Sequence, residues 1–355
     1  MQKKIDDYLI HPQESIKTAM KQLDITHKKI LFIVDENQNL LGSLTDGDIR
    51  RWILAGNNLE SIVKDACNPK PFSVIKGFDN QLLRKVFIKE KYSAIPVVDS
   101  NGKILDIVFW EELFDPLELS PQLKELNCHV LIMAGGQGTR LDPFTKILPK
   151  PLMPIGDKTI IELIIAKFQN FSINHFFISI NYKANMIKLF FEELNRNYSV
   201  EYIEETKKLG TIGSLTFLKG KLDKPILVTN CDIIVDIDYT EFLEFHEKNN
   251  FDISLVASLI NYKIPYGICE IETGGVLKYF TEKPEYSFLA STGMYIINPS
   301  LIELIPENTF YHVTHLIEKV RKNGGKVGVF PINENSWLDI GEWNEYKKTL
   351  ERLKI

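Results

Sequence analysis

Three glycines, an arginine and a lysine stand close enough together in this chain to hold a row of phosphates. Gly135, Gly136 and Gly138 follow directly on the apolar run His129 to Met133, and Arg140 and Lys150 come after them. Glycines let a backbone approach a ligand closely and take left-handed conformations. A loop of this kind turns several N–H groups toward one anion. Arg140 offers a planar, two-pronged donor and Lys150 a compact mobile charge. Pro143, Pro149, Pro151 and Pro154 stiffen the stretch that carries Lys150. The chemistry implied is the cradling of a polyphosphate. Two familiar phosphate loops are excluded. Gly136-Gln137-Gly138-Thr139-Arg140-Leu141 begins like a dinucleotide fingerprint but ends in Leu, and no acidic residue closes a second strand at the required distance. The Gly-Lys-Ser/Thr ending of a Walker A loop is absent as well.

The elements that must position these groups alternate. Spacing predicts helices over 159–171 and 186–194, and short apolar strands over 129–133, 176–180 and 200–203. Such alternation argues for an α/β fold with a mostly parallel sheet, whose ligands bind beyond the carboxyl ends of the strands. The stretch 225–232 reads as another apolar strand, and Asn230-Cys231-Asp232 sets a carboxylate at its tip. At 355 residues the chain is long enough for two or three domains, and 44% apolar residues suffice for packed cores. The net charge of −5 gives no electrostatic argument for nucleic acid or an anionic membrane as partner, and neither is expected. No apolar run reaches the roughly 18–20 residues that span a bilayer. Acidic residues within 1–7 stand where a signal peptide needs an apolar core. The four cysteines lack C-x-x-C spacing, so neither a zinc site nor a disulfide framework is expected. A cytoplasmic location is the expectation.

Ala134-Gly135-Gly136-Gln137-Gly138-Thr139-Arg140-Leu141, with Pro149-Lys150-Pro151-Leu152-Met153-Pro154 behind it, resembles the signature of the sugar-1-phosphate nucleotidylyltransferases. The resemblance runs from about residue 128 to the C-terminus and implies a Rossmann-like domain. It implies a nucleoside triphosphate held at Ala134, Gly135, Gly136, Gly138 and Thr139, with Arg140 and Lys150 around the reacting α-phosphorus. Leu209-Gly210-Thr211-Ile212-Gly213-Ser214-Leu215 precedes an expected helix and is similar to the family's second glycine motif, which would place Gly210 and Thr211 near base and ribose. Asp232, and Asp339 within Trp337-Leu338-Asp339-Ile340-Gly341, match the carboxylates that bind Mg²⁺ in that family. Gly267, Glu282, Lys283, Ser291 and Thr292 match its sugar-phosphate face, although many relatives carry Asn where Ser291 stands.

Residues 1–115 contain an internal repeat. Ile33-Val34-Asp35-Glu36-Asn37-Gln38 returns as Val97-Val98-Asp99-Ser100-Asn101-Gly102. Helical patterns precede the two copies at 15–23 and 80–87. Further strands follow at 40–44 and 104–109, and helix starts at Asp46 and Glu111. This resembles a pair of CBS modules, β-α-β-β-α units that pack against each other. Thr45 and Asp48 of the first copy match residues that bind adenine nucleotides in such pairs, while the second copy has Asp106, Phe109 and Glu112 at the equivalent places. An architectural pair that mediates dimerisation is the alternative, and a homo-oligomer is expected. The stretch 116–127 reads as a linker, leaving 128–355 as the second domain.

These resemblances imply a Mg²⁺-dependent transfer of a nucleotidyl group to a sugar-1-phosphate. The pairing of CBS modules with this transferase pattern is similar to guanylyltransferases of glucosamine-1-phosphate in legionaminic acid synthesis, so GTP is the expected donor. Mannose-1-phosphate as acceptor, and UTP, dTTP or CTP as donor, are alternatives. A non-catalytic nucleotide-sensing regulator is the rival from another class.

Overall fold

The structure is a computed structural model, described here over residues 5–26, 28–90, 92–109 and 125–352. The chain divides into two units, Met1–Leu123 and Lys124–Ile355. Most of the expected linker, and the helix start at Glu111, lie outside the described residues.

In the N-terminal unit β1 (Leu9–Ile10), α1 (Ile16–Thr26), β2 (Ile30–Val34) and β3 (Leu40–Thr45) lead into α2 (Asp46–Leu54) and the single turn α3 (Val63–Ala66). The series then returns as β4 (Val74–Ile75), α4 (Asn80–Glu90), β5 (Ala94–Val98) and β6 (Ile104–Phe109). Each copy forms a three-stranded sheet with one parallel and one antiparallel pairing. The middle strands, Ile-Leu-Phe-Ile-Val and Ala-Ile-Pro-Val-Val, are buried throughout and so need cover on both faces. Part of that cover is mutual, because Ile30, Phe32 and Val34 share one cluster with Ala94, Val98 and Ile104. The turns also meet reciprocally: Leu40 N donates to Gly102 O (2.9 Å) and Ile104 N to Gln38 O (3.0 Å). The expected repeat is present and its copies pack on each other.

The C-terminal unit is built on a seven-stranded sheet. Its elements run β7 (His129–Met133), a small hairpin β8 (Pro154–Ile155) and β9 (Lys158–Thr159), α5 (Ile160–Gln169), β10 (His175–Ile180), α6 (Ala184–Glu193), β11 (Ser199–Glu204), β12 (Ile226–Asn230), β13 (Ile233–Val235) and α7 (Tyr239–Lys248). There follow β14 (Ile253–Lys263), β15 (Ile268–Ile271), β16 (Leu277–Thr281), β17 (Glu285–Ile297), α8 (Val313–Lys322), β18 (Val327–Asn333), β19 (Trp337–Asp339) and α9 (Trp343–Arg352). The sheet order is β11-β10-β7-β12-β17-β14-β18, and β17 alone runs against its neighbours.

Thr159 starts α5 with a capping box: its hydroxyl accepts from Glu162 N, and the Glu162 carboxylate accepts from Thr159 N. Alternation along β7 sends Leu131 into a cluster with Val313, Leu316 and Val320 of α8. Val130 and Ile132, both fully buried, point to the opposite face. The carboxyl ends of β7, β11 and β12 therefore open onto one edge of a sheet held rigid from both sides.

One buried polar group carries a pH prediction. His246 on α7 is 2% exposed; its Nε2 donates to Asn298 Oδ1 (3.0 Å), which leaves Nδ1 to accept from Ser254 Oγ (2.9 Å). Burial pushes the imidazole below the ordinary histidine range. The unfolded chain then binds a proton that the folded chain refuses, so stability is lost as pH falls through about 6.5. Tm is expected to drop between pH 7 and pH 5, and less steeply in His246→Gln.

Candidate active site

A cavity of about 300 Å³ opens beyond the carboxyl ends of β7, β11 and β12. Met133, Gly135, Gly136, Gln137 and Gly138 line it from the first of these ends, Glu205 from the second, and Asn230, Cys231 and Asp232 from the third. Leu209, Gly210, Thr211, Lys150, Lys208 and Phe310 complete the lining.

The three glycines of the first loop serve three purposes. Gly138 takes the left-handed conformation (φ 66°), and a Cβ there would press on Thr145 and Lys150. A Cβ on Gly135 would press on Asn181, whereas one on Gly136 would meet nothing from the protein. Gly136 thus faces open space where a ligand could approach the backbone. Thr145 Oγ1 donates to Gly138 O (3.0 Å) or to the Asp142 carboxylate (2.9 Å), which ties the loop to the proline-rich stretch. Ala134 is not available to a ligand: it is fully buried, and its N–H is spent on Ser179 O (2.8 Å).

Pairing of two short strands joins the acidic residues. In the antiparallel β13–β19 ladder Ile233 faces Asp339, and Ile340 N donates to Asp232 O (2.8 Å). A Cβ placed on Gly341 would lie 2.8 Å from Asp339 Oδ1, 3.4 Å from Asp232 Oδ2 and 3.4 Å from Lys150 Nζ. Two carboxylates and one ammonium therefore converge on a single point. Lys150, only 8% exposed, pairs directly with Asp232 Oδ2. Burial raises the Asp339 carboxyl above the usual range, the Gly341 N–H opposes that, and the charge of Asp232 raises it further. Among the described residues no cluster of three or more His, Cys, Asp or Glu could hold a metal. Two carboxylates still suit a hard divalent cation whose remaining ligands are phosphate oxygens and water. Cys231 lies beside them, but burial pushes its thiol up to about 12, so it is no nucleophile at neutral pH.

The second glycine motif is held by a distant segment. Gly210 (φ 81°) has no room for a side chain, because a Cβ would fall 2.6 Å from Tyr311 O. Tyr311 N donates to Leu209 O (2.9 Å), Ile212 N to Tyr311 O (3.3 Å), and Val313 N to Thr211 Oγ1 (3.0 Å). The expected helix is a 3-10 helix, Gly213–Leu218, and it starts inside the motif. A Cβ at Gly213 would meet Thr309 O at 2.9 Å, so this close packing excludes a better helix former.

Several expected site residues lie elsewhere. Arg140 is 75% exposed and faces Glu342 across 3.3 Å, so it does not line the cavity. Thr139 is exposed and also outside the lining. Gly267 and Glu282 do meet, since a Cβ on the former would lie 3.1 Å from Glu282 Oε2, while Lys283 stands 3.7 Å from Glu282 on the surface. Ser291 Oγ shares a hydrogen bond with Tyr295 OH (3.0 Å). Thr292 points the other way along β17, buried, with its hydroxyl donated to Val256 O (3.0 Å). None of these five lines the cavity. In the N-terminal unit Thr45 and Asp48 bond each other: the hydroxyl accepts from Asp48 N (3.2 Å) and the carboxylate from Thr45 N (2.8 Å). That is the capping box of α2, so the expected nucleotide ligands already have local partners. Glu205, Lys208, Asn230 and Phe310 line the cavity without having been singled out from the sequence. Glu205 was within reach of the strand-end rule; Phe310 carried no local signal.

The nucleotidyl transferase family model matches residues 129–354. The chain belongs to this family. A CBS domain model matches residues 3–55, the first of the two copies. Mannose-1-phosphate guanyltransferase of Yarrowia lipolytica is 34% identical over 226 residues, 61% of this chain and 61% of that protein. The Saccharomyces cerevisiae enzyme of the same name is 31% identical over 237 residues (61% of this chain, 62% of the relative), and mannose-1-phosphate guanylyltransferase 1 of Arabidopsis thaliana 29% over 226, with the same coverage. The chain thus spans about three fifths of the length of these relatives. Among solved structures, HddC from Yersinia pseudotuberculosis aligns with a TM-score of 0.51 at 24% identity, over 64% of this chain and 99% of that one. A second HddC structure, complexed with GMP-PN, has a TM-score of 0.50 at 23% identity, again over 64% and 99%. These likenesses establish the fold. No helix among the described residues is long and apolar enough to cross a membrane.

Proposed function

We propose that this nucleotidyl transferase moves a guanylyl group from GTP to a sugar-1-phosphate, releasing a nucleotide-sugar and pyrophosphate. The observation that carries the reading is the convergence of Asp339 with Lys150 and Asp232, the last two of which line a glycine-rich cavity. A non-catalytic sensor would have no need of that arrangement. Glucosamine-1-phosphate is the first acceptor to test, on the resemblance carried by the CBS pair. Mannose-1-phosphate is the second, on the relatives named above.

An oxygen of the acceptor phosphate forms the new bond to the α-phosphorus, and the bond from that phosphorus to the α–β bridging oxygen breaks. The acceptor is already an anion, so catalysis needs positioning and charge stabilisation rather than a general base. Backbone N–H groups of residues 135–138 face the triphosphate. Lys150 offsets charge at the reacting centre, and Arg140 joins it on leaving Glu342. Asp232 and Asp339 would hold a divalent cation, for which Mg²⁺ is proposed. When bound, such an ion would supply neutralisation of phosphate charge at that point. Gly267, Glu282 and Lys283 serve the sugar phosphate.

Glu205 supports the choice of base. Its carboxylate accepts from Ser179 Oγ and from Leu209 N (3.1 Å), so it is held rigidly at the cavity wall. An acceptor-only group suits guanine, whose edge carries two adjacent donors, better than uracil or thymine, which carry one. Glu205→Gln is expected to lower kcat/KM for GTP about 10- to 100-fold, the scale of a charged hydrogen bond, with a smaller change for UTP.

Pyrophosphate release with the four nucleoside triphosphates against glucosamine-, mannose- and glucose-1-phosphate tests the whole reading. GTP with glucosamine-1-phosphate is the expected best pair. A preference for UTP or dTTP would overturn the base, and no release with any pair would overturn the transfer.

A further inference from the structure

We infer that Phe310 is the platform on which the nucleobase stacks, an inference that rests on the reading of the cavity as a nucleotide site. Phe310 is the one aromatic side chain among the described residues lining the cavity. It is 53% exposed, so its ring is not held by core packing. An edge contact with His312 orients it, ring centroids 4.6 Å apart at 81°. An aromatic face left open at a cavity wall is what a flat heterocycle recognises, and every base offers a π-face to it.

The backbone fixes where that platform stands. The residue after Phe310 is paired in both directions with the second glycine loop, through Tyr311 N to Leu209 O and Ile212 N to Tyr311 O. Absence of a side chain at Gly210 lets the two segments touch. Leu209 N in turn donates to Glu205 Oε2 (3.1 Å). Phe310 and Glu205 are therefore braced against the same loop. One offers a face and the other an acceptor edge, the two features that seat a base while the residue 135–138 loop and Lys150 take the phosphates. The ring acts on base binding and not on the phosphorus, so it should act through affinity.

The test is calorimetric titration of the full chain with GTP and, separately, with inorganic tripolyphosphate, in wild type, Phe310→Ala, Phe310→Leu and Phe310→Trp. Loss of the aromatic face in the Ala and Leu variants is expected to weaken GTP about 5- to 100-fold, the range of base stacking on an aromatic side chain, while Trp keeps wild-type affinity. Tripolyphosphate, which has no base, should bind all four proteins alike. In steady state the Ala variant should raise KM for GTP and change kcat less than about threefold. Equal GTP affinity in wild type and the Ala and Leu variants would overturn the inference. A parallel loss of GTP and tripolyphosphate would also overturn it, by showing a structural role. Failure of the wild type to release pyrophosphate would sink the transferase reading alone, because the titrations still decide on the ring.

Discussion

Asp232→Asn is expected to lower kcat at least about 10²-fold while leaving the fold intact. The residue stands between β12 and β13, immediately before the latter, and its backbone oxygen is fixed by Ile340 N at 2.8 Å, so the variant side chain starts from the same place. An amide supplies one neutral oxygen where the carboxylate supplies a charge, and hard cations favour the charged ligand. The change also leaves Lys150 without its counter-ion at a position 8% exposed. Removing one charge-stabilising group from a preorganised site costs about 10²–10³ in turnover. Asp339→Asn should fall in the same direction, because both carboxylates face the Gly341 position. Pyrophosphate release measured beside Tm decides the matter: normal turnover in a folded Asp232→Asn protein would remove this residue from the mechanism.

Lys150→Met has the second-largest expected effect and tests the opposite charge. The chain of Lys150 is packed against the Gly138 loop, within 3.0 Å of where a Cβ on that glycine would stand, so a linear apolar side chain of similar girth preserves the contact. What disappears is the ammonium between two carboxylates. Turnover is expected to fall about 10²-fold or more. Stability should fall too, by about 3 kcal/mol, because breaking a buried ion pair strands the remaining charge. Added Mg²⁺ should restore more of the lost Tm in this variant than it adds to wild type, since a bound cation replaces the missing positive charge. A variant with wild-type Tm and turnover would show that Lys150 serves neither the pair nor the reaction.

Much of this site could be located in the sequence because the relevant signals are local. The run His129 to Met133 is bounded as a strand by its own apolar residues and by the glycines behind it, and the structure keeps those limits. The strand-end rule placed Asp232 at the cavity for the same reason. Where the geometry departs from the local reading, contacts from elsewhere decide. Thr292 belongs to a motif, yet the two-residue period of β17 turns it to the buried face. Arg140 lies in the signature itself, but Glu342 draws its side chain outside the cavity. Thr45 and Asp48 have the spacing of ligand residues and equally the spacing of a helix cap, and the cap is what forms.

By itself the sequence determined the repeat of the N-terminal unit, the alternation of helices and strands, and the glycine loop with its lysine, all consequences of side-chain period and backbone freedom over a few residues. Only the tertiary structure decided that Asp232 and Asp339 meet, that Glu205 lines the cavity, and that Phe310 lines it beside the second glycine loop. Those meetings depend on strand register and on the packing of segments remote along the chain. Their energy comes from the whole sheet and its covering helices rather than from any short stretch.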